Sequence, residues 1–513
     1  MAKLYVFAIG GSGSRVLKSL TMLLAAGVKC DVDTIVPIII DKDASCFKDT
    51  QELIENYIKV QEYAPKSEGN VQNKFFNTKF ELLNNELVLA LDDAKDTFRS
   101  YINYDTPQEL KNTKPLVDVL FSERTLNMST SVGFQGNPNI GSVVLNQFTE
   151  QKIFKSFGDK IENGDKIFII SSIFGGTGAS GFPLLLKTLN NPPAGLTAPD
   201  NIKKAAKGAI TILPYFKVSS DKDENNKDSL VPKTFIPGTK AALHYYETLD
   251  KKIDSLYYIG EPSGFRLTYK HEKGGSKQEE EDKAHIVELA AALSVIDFTN
   301  NTSIKRKSDG IAITATTYKE FGITAKVREE TDKQGKTRQI ENDGRNVSFN
   351  DLADNTKELL KKPLLQLLLM RKFISEKFKY ESKQPYLAKL GINTNFFEGD
   401  CSMKSMHEIL SKYYSYLQDI EGDEKEKEKR KFAPFSLETD NPFNILKNEN
   451  VKTGWSQLFG TNGWTWFVDK LNSEIDAVNN SINDTNNNNL TEKRFIELLY
   501  RVTEQFYNRL NKK

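Results

Sequence analysis

Three glycine-rich stretches hold the residues of this chain best suited to receive an anion. Residues 174–181 read Phe-Gly-Gly-Thr-Gly-Ala-Ser-Gly, after the apolar run Lys166–Ile173 and before the apolar pattern Phe182–Leu189. A strand that feeds such a loop into a helix is a phosphate cradle. Glycines let backbone N–H groups turn toward an anion, and the helix N-terminus adds positive dipole character. No Lys-Ser/Thr pair follows the glycines, so this is not a Walker loop. The second stretch opens the chain: Leu4–Ile9 is an apolar strand that Gly10-Gly11-Ser12-Gly13-Ser14 turns into a helix over about 15–26. As a dinucleotide fingerprint it lacks its third glycine, since Val16 stands in that place. The next strand, Thr34–Ile40, ends at Asp41-Lys42-Asp43, where a carboxylate could meet a ribose hydroxyl or a metal-bound water. The third stretch, Gly133 to Gly141, contains Gly136-Asn137-Pro138; taken alone it reads as a surface turn.

In this order the loops resemble the nucleotide-binding domain of the tubulin/FtsZ superfamily. That family carries an N-terminal glycine loop, an acidic loop after the second strand, a G-x-x-x-N-P-x-[IV]-G loop and a G-G-G-T-G-[ST]-G signature. Gly133, Asn137, Pro138, Ile140 and Gly141 fall in register with the third of these. The signature keeps Gly175-Gly176-Thr177-Gly178 but has Phe174, Ala179 and Ser180 where the family has glycine, a small hydroxyl residue and glycine. The resemblance covers about the first 300 residues.

The resemblance implies a nucleoside triphosphate lying across the C-terminal ends of parallel strands. Gly10, Gly11, Ser12, Gly13 and Ser14 would meet the α- and β-phosphates. Gly175, Gly176, Thr177, Gly178 and Ala179 would hold the β-phosphate region, and Gly136, Asn137 and Pro138 would approach the γ-phosphate. Asp41 or Asp43 would position a Mg²⁺-bound water or a ribose hydroxyl. Arg15 and His285 occupy the places that help to read guanine, where FtsZ-like members usually have asparagine; neither substitution forbids guanine, and GTP/GDP is the nucleotide that the resemblance implies. The acidic motif that follows the central helix in polymerising members is absent from Asn300–Gly310. Asp309 is the carboxylate left there for a catalytic role in the next subunit's site.

Composition bounds the rest. A chain of 513 residues exceeds one ordinary core, so two domains with insertions are expected. With 70 basic and 69 acidic residues, no net field favours nucleic acid or an anionic membrane. Mean hydropathy of −0.49 fits a soluble chain, and no signal peptide or membrane span is read. Cys30, Cys46 and Cys401 lack C-x-x-C spacing and the four histidines are dispersed, so a reducing cytoplasm is expected and no protein-ligated metal.

The expected fold is α/β: a doubly wound, mostly parallel nucleotide-binding domain, joined by a central helix to a smaller α+β domain with a helical C-terminal region. The nucleotide-binding domain spans 1–284, with 44–130 a largely helical insertion bearing periodic runs at 49–58 and 77–101. A buried connecting helix spans 285–300, and 301–513 forms the second domain. Gly310–Thr317 and Phe321–Glu329 read as hairpin strands, with another at Thr337–Glu341. The polar tracts Lys217–Asp228 and Tyr269–Lys283 read as exposed loops. Leu359, Leu360, Leu364, Leu367 and Leu368 read as core or interface, and the aromatics around Trp464 as the core of a C-terminal subdomain.

The expected function is that of a GTP-binding, tubulin/FtsZ-like protein, a slow GTPase stacking head to tail with copies of itself. Further protein partners would use the 44–130 segment or the C-terminal region. The alternative is a nucleotide-binding scaffold that does not hydrolyse. An NAD-type oxidoreductase would rest on Gly11, Gly13 and Asp41 alone and leave the other loops unexplained.

Overall fold

The computed structural model describes residues 2–42, 46–89, 97–106, 113–130, 134, 137–219, 232–260, 267–270, 284–300, 305–320, 328–331, 337–340, 349, 352–378, 384–393, 396, 403–421, 435, 437, 442, 445, 463–483 and 489–511. Its strands are β1 (Lys3–Ile9), β2 (Thr34–Ile40), β3 (Lys79–Phe80), β4 (Lys166–Ser172), β5 (Ala206–Ile212), β6 (Phe216–Ser219), β7 (Ser255–Ile259), β8 (Leu267–Lys270), β9 (Thr317–Glu320), β10 (Arg328–Thr331) and β11 (Thr337–Ile340). Seven of them form one sheet in the order β3-β2-β1-β4-β5-β7-β9, with every pair parallel. The α/β class is thus as expected from the sequence.

Apolar runs such as LYVFAI and KIFIISS are buried along almost their whole length. A strand apolar on both faces demands cover on both, which parallel sheets obtain from their crossover helices. Alternate residues of β1 divide accordingly. Leu4, Val6 and Ala8 enter one core with the first helix (Gly10–Ala25) and the central helix (Ile286–Asn300). Tyr5, Phe7 and Ile9 enter the other with the helices Pro138–Val144, Lys152–Lys160 and Gly176–Asn190. Even Pro37, inside β2, is accommodated. Its missing N–H has the parity that faces β3, in the gap between the Ile35–Phe80 pairing and the Ile39–Val88 bridge.

The central helix is buried on nearly every side, as its sequence implies. The core on its face continues without a break into the helices Asp354–Lys372, Lys404–Glu421, Gly463–Ser481 and Leu490–Asn511. Leu360, Leu364, Leu367 and Leu368 are buried there, as are Trp464 and Phe467. Glu497, fully buried, accepts the backbone N–H groups of Gln72 and Asn73 and pairs with Arg501, tying the last helix to the N-terminal half.

Several local expectations need correction. The described part of 77–101 is mainly extended chain at the sheet edge rather than helix, and 44–130 as described is not largely helical. Asn84 and Asn85 have φ of +53° and +60°, and Leu83 and Glu86 pair across them as in a two-residue hairpin turn. No α-helix continues through such a pair. Downstream of the central helix, Thr317–Glu320 extends the main sheet, and the antiparallel pair is β10 with β11. The starts of both polar tracts pair as well: β6 runs parallel to β8, while 220–228 and 271–283 lie outside the described residues.

Candidate functional site

The strand order places the site. From β1 the chain moves outward to β2 and β3, whereas from β4 it moves the other way to β5, β7 and β9. The switch therefore falls between β1 and β4, and connections leaving two neighbouring strands toward opposite faces open a crevice at their C-terminal ends. The first helix leaves β1 at Gly10, and the signature helix (Gly176–Asn190) leaves β4 through Gly175. These are the two principal glycine loops of the sequence.

The loops touch. Gly10 has φ of +74°, and a Cβ placed on it would lie 3.5 Å from both Thr177 Cβ and Gly178 N. The Pro138–Val144 helix packs against the signature helix just as closely. A Cβ on Gly141 would stand 2.2 Å from Ser180 Oγ and 3.0 Å from the Gly176 carbonyl oxygen, so only glycine permits the approach. Cys46, just past the acidic loop, lies against Gly11. Asp41 sits at the end of β2, buried, its carboxylate accepting the Lys42 N–H at 2.7 Å. Asp43 and Gly136 lie outside the described residues. The structure thus brings Gly10 against Thr177 and Gly178, and Gly141 of the Asn137-Pro138 helix against Gly176 and Ser180, with Asp41 at the end of the neighbouring strand.

Its electrostatics come from the backbone. None of the three helix starts carries an acidic residue in its first turn, and none of their N-caps (Ile9, Asn137 and Gly175) makes a side-chain capping bond. Helix starts ordinarily recruit an Asp, Ser or Thr for those N–H groups. Gly11, Ser12, Gly175 and Thr177 are half-buried at the rim, open enough to meet a ligand. Among the described residues no three His, Cys, Asp or Glu side chains cluster as metal ligands. Magnesium would be held mainly by phosphate oxygens and water, with one or two carboxylates, a demand that Asp41 fits.

Arg15 and His285 meet each other's neighbourhood through a residue that sequence reasoning missed. Glu288, almost fully buried, accepts from Arg15 Nε at 2.6 Å, from the Tyr215 hydroxyl at 2.8 Å and from the His285 backbone N–H at 3.1 Å. His285 Nδ1 accepts the Val287 N–H at 3.0 Å, and its ring lies 5.0 Å from that of Tyr215. His285 therefore caps the central helix, and Arg15 ties the first helix to it. The signal was present in the sequence as His285-x-x-Glu288, a capping box with histidine at the N-cap. Phe174, the departure from the signature, packs edge-on against Tyr215 at 6.3 Å. A narrow crevice between Arg15, Cys46, Glu288 and Tyr416 adjoins this cluster.

No protein-family model matches the chain. No curated protein matches it. Among solved structures it is similar to a GTPγS-bound protofilament of CetZ2 from Haloferax volcanii, at 12% identity and TM-score 0.28 over 58% of each chain. It is also similar to CetZ from Methanosaeta thermophila, at 13% identity and TM-score 0.30 over 60% of this chain and 57% of that one. A third is a GTPγS-form protofilament of TubZ from Bacillus thuringiensis serovar israelensis, at 12% identity and TM-score 0.25 over 80% of each chain. The chain spans less than two thirds of the first two. At such identities and scores the fold and the site stand on their own geometry.

Asp309 lies at the other rim of the sheet. Its exposed carboxylate accepts the Ile311 and Ala312 N–H groups at 2.8 and 3.0 Å, closing the tip of a hairpin over 305–314. Those two bonds hold the carboxyl below its usual range. The hairpin is tied to Lys204, Ala205 and Asp254, which immediately precede β5 and β7. Seven residues of parallel strand, roughly 20 Å, separate this rim from the glycine loops.

Proposed function

We propose that this chain binds a guanine nucleoside triphosphate in the crevice between β1 and β4, stacks head to tail with copies of itself and hydrolyses the nucleotide slowly. The observation that carries the reading is the meeting of three acid-free helix starts at the switch point of a parallel sheet. Their unrecruited N–H groups form a preorganised anion cradle. The order of the loops along the chain supports a triphosphate of guanine over a dinucleotide.

In this reading the N–H groups of Gly11, Ser12 and Gly13 and of Gly176, Thr177 and Gly178 face the inner phosphates, with the Thr177 hydroxyl as a further donor. Asn137, with Gly136 and Pro138, borders the terminal phosphate. Asp41, with Asp43, orients a metal-bound water or the ribose. Bound magnesium supplies the charge neutralisation that the loops, free of cationic side chains, provide only through dipoles. The Arg15–Glu288–Tyr215 cluster borders the base, with His285 fixing the helix that carries Glu288. Asp309 is too far from its own site, so it would orient the attacking water of the copy stacked above. Such heterologous contacts continue into filaments. A reducing cytoplasm suits Cys30 and Cys46, neither of which is in a disulfide.

A second reading, a scaffold that binds nucleotide without hydrolysing it, draws on the engagement of Asp309 by its own turn. One pair of measurements separates the two. Mass spectrometry of nucleotide retained after mild purification, followed by light scattering and phosphate release with GTP, should give guanine nucleotide and concentration-dependent turnover. Assembly without phosphate release selects the scaffold. Failure to bind any guanine nucleotide overturns both.

A further inference from the structure

We infer that Arg306 is a positioning residue for hydrolysis, holding the Asp309 hairpin at a fixed height above the N-terminal rim of the sheet. This rests on the functional reading above and assigns a part to a residue outside every glycine loop.

Among the described residues, little else holds the hairpin beyond its first residues. Residues 307, 308, 309 and 311 are exposed, and Arg306 and Ile313, which face each other across the two arms, carry its buried contacts. Arg306 uses its whole guanidinium. Nε and Nη2 grip the Asp254 carboxylate at 2.8 and 2.6 Å, a two-pronged pair with both side chains nearly out of solvent. Nη2 also donates to the Ala205 carbonyl at 2.8 Å, and Nη1 donates to the carbonyls of Lys204 at 2.6 Å and Gly310 at 2.7 Å. The last bond reaches the residue after Asp309. One side chain therefore links the approach to β5, the approach to β7 and the hairpin tip.

Asp254 is fixed in turn. Its Oδ2 accepts the Lys207 N–H at 2.7 Å, its own N–H donates to the Lys207 carbonyl, and its carbonyl accepts from Thr317 at the start of β9. The clamp is thus anchored to three neighbouring strands. A planar fork is needed to satisfy a carboxylate and carbonyls on two sides at once, and lysine offers only a point charge. Catalytic geometry tolerates misplacements well below 1 Å, so a tip freed from this fork would lower turnover without touching the nucleotide's own cradle.

The test compares wild type, Arg306→Lys and the double variant Arg306→Leu/Asp254→Leu, which removes both charges together so that neither member of the pair is left buried without the other. Guanine-nucleotide affinity is read in dilute, unassembled protein; phosphate release and light scattering are read at assembling concentration. The clamp predicts unchanged affinity and retained assembly in both variants, with assembly-stimulated turnover down at least tenfold in each. A folded, assembling double variant that turns over like wild type overturns the clamp while leaving the functional reading intact. Absence of GTP turnover in wild type, with nucleotide bound, removes the reading and the clamp together. Asp309→Asn run alongside must lose turnover to the same extent; if it does not, the clamp has no catalytic group to position and the inference falls.

Discussion

Lys207 offers the sharpest physical test of the sheet's N-terminal rim. Its side chain is 1% exposed, and Nζ donates to the carbonyls of Lys203 at 2.9 Å and Ala205 at 3.1 Å. Burial first, and the neighbouring Arg306 guanidinium second, push the ammonium down to about 7, against a weaker upward pull from Asp254. An unfolded lysine titrates near 10.4. Between pH 7 and 9 the unfolded chain therefore keeps its proton while the folded chain sheds one, and stability must rise with pH. Integrating that difference over the two units gives a gain of about 2 kcal/mol. Well below pH 7 both states are protonated and the term is flat. Lys207→Met keeps the length of the side chain and removes the titration. The assay is urea denaturation of both proteins at half-unit steps from pH 7 to 9. Cys30, whose thiol burial pushes up, acts in the opposite sense near the top of that range, but it is common to both proteins. The difference between the two curves isolates Lys207. Parallel curves would refute the claim that this amine loses its proton inside the fold.

Other outcomes follow from single contacts. Gly141→Ala should cost about 1–3 kcal/mol and weaken nucleotide binding, because the new Cβ meets Ser180 Oγ and the Gly176 carbonyl. Adding Ser180→Ala should restore part of both, read by thermal melting and nucleotide titration. Glu288→Ala leaves the Arg15 guanidinium without its buried carboxylate and should cost about 3 kcal/mol or more. The double variant Arg15→Met/Glu288→Met should be the more stable of the two in a denaturant series, and the opposite ranking would contradict a desolvated pair. Asp309→Asn should leave nucleotide affinity unchanged and lower phosphate release from assembled protein, measured at matched polymer mass.

Much of the sheet was legible because its physics is local. β1, β2, β4, β5 and β7 announce themselves as short runs apolar on both faces, and only a covered parallel sheet accommodates several of them. The polar strand β9 gave no such signal, since an edge strand of sequence TYKE, half-exposed throughout, resembles a loop. β6 and β8 overlap the starts of the two tracts whose polar sequences read as loops. At 77–101 the leucines fit a helical spacing as readily as a bent edge, and the left-handed pair Asn84–Asn85 decided the matter. At the site, glycines and helix starts were visible as a pattern. The His285-x-x-Glu288 cap was a local pattern too, but the partner of Arg15 was not, because Glu288 sits 273 residues from Arg15 and tertiary packing alone brings the two together.

The distance between the two rims decides how the parts relate. A nucleotide cradled at the C-terminal ends of β1 and β4 cannot be reached by a carboxylate tied to the N-terminal ends of β5 and β7. A hinge could close that gap only by breaking strands whose side chains are buried on both faces. The cheaper geometry is repetition: a second copy, oriented the same way, brings its N-terminal rim to the first copy's C-terminal rim with every strand intact. A heterologous contact of that kind leaves a free rim at each end of the stack, so it does not close on itself at two subunits. On the proposed function, turnover that depends on assembly would then be a consequence of where one parallel sheet puts its two ends. In the proposed stack a nucleotide bound between the rims would act on the contact as well, because the cradle loops Gly10–Ser14 and Gly175–Gly178 would themselves be part of the surface that the next copy meets.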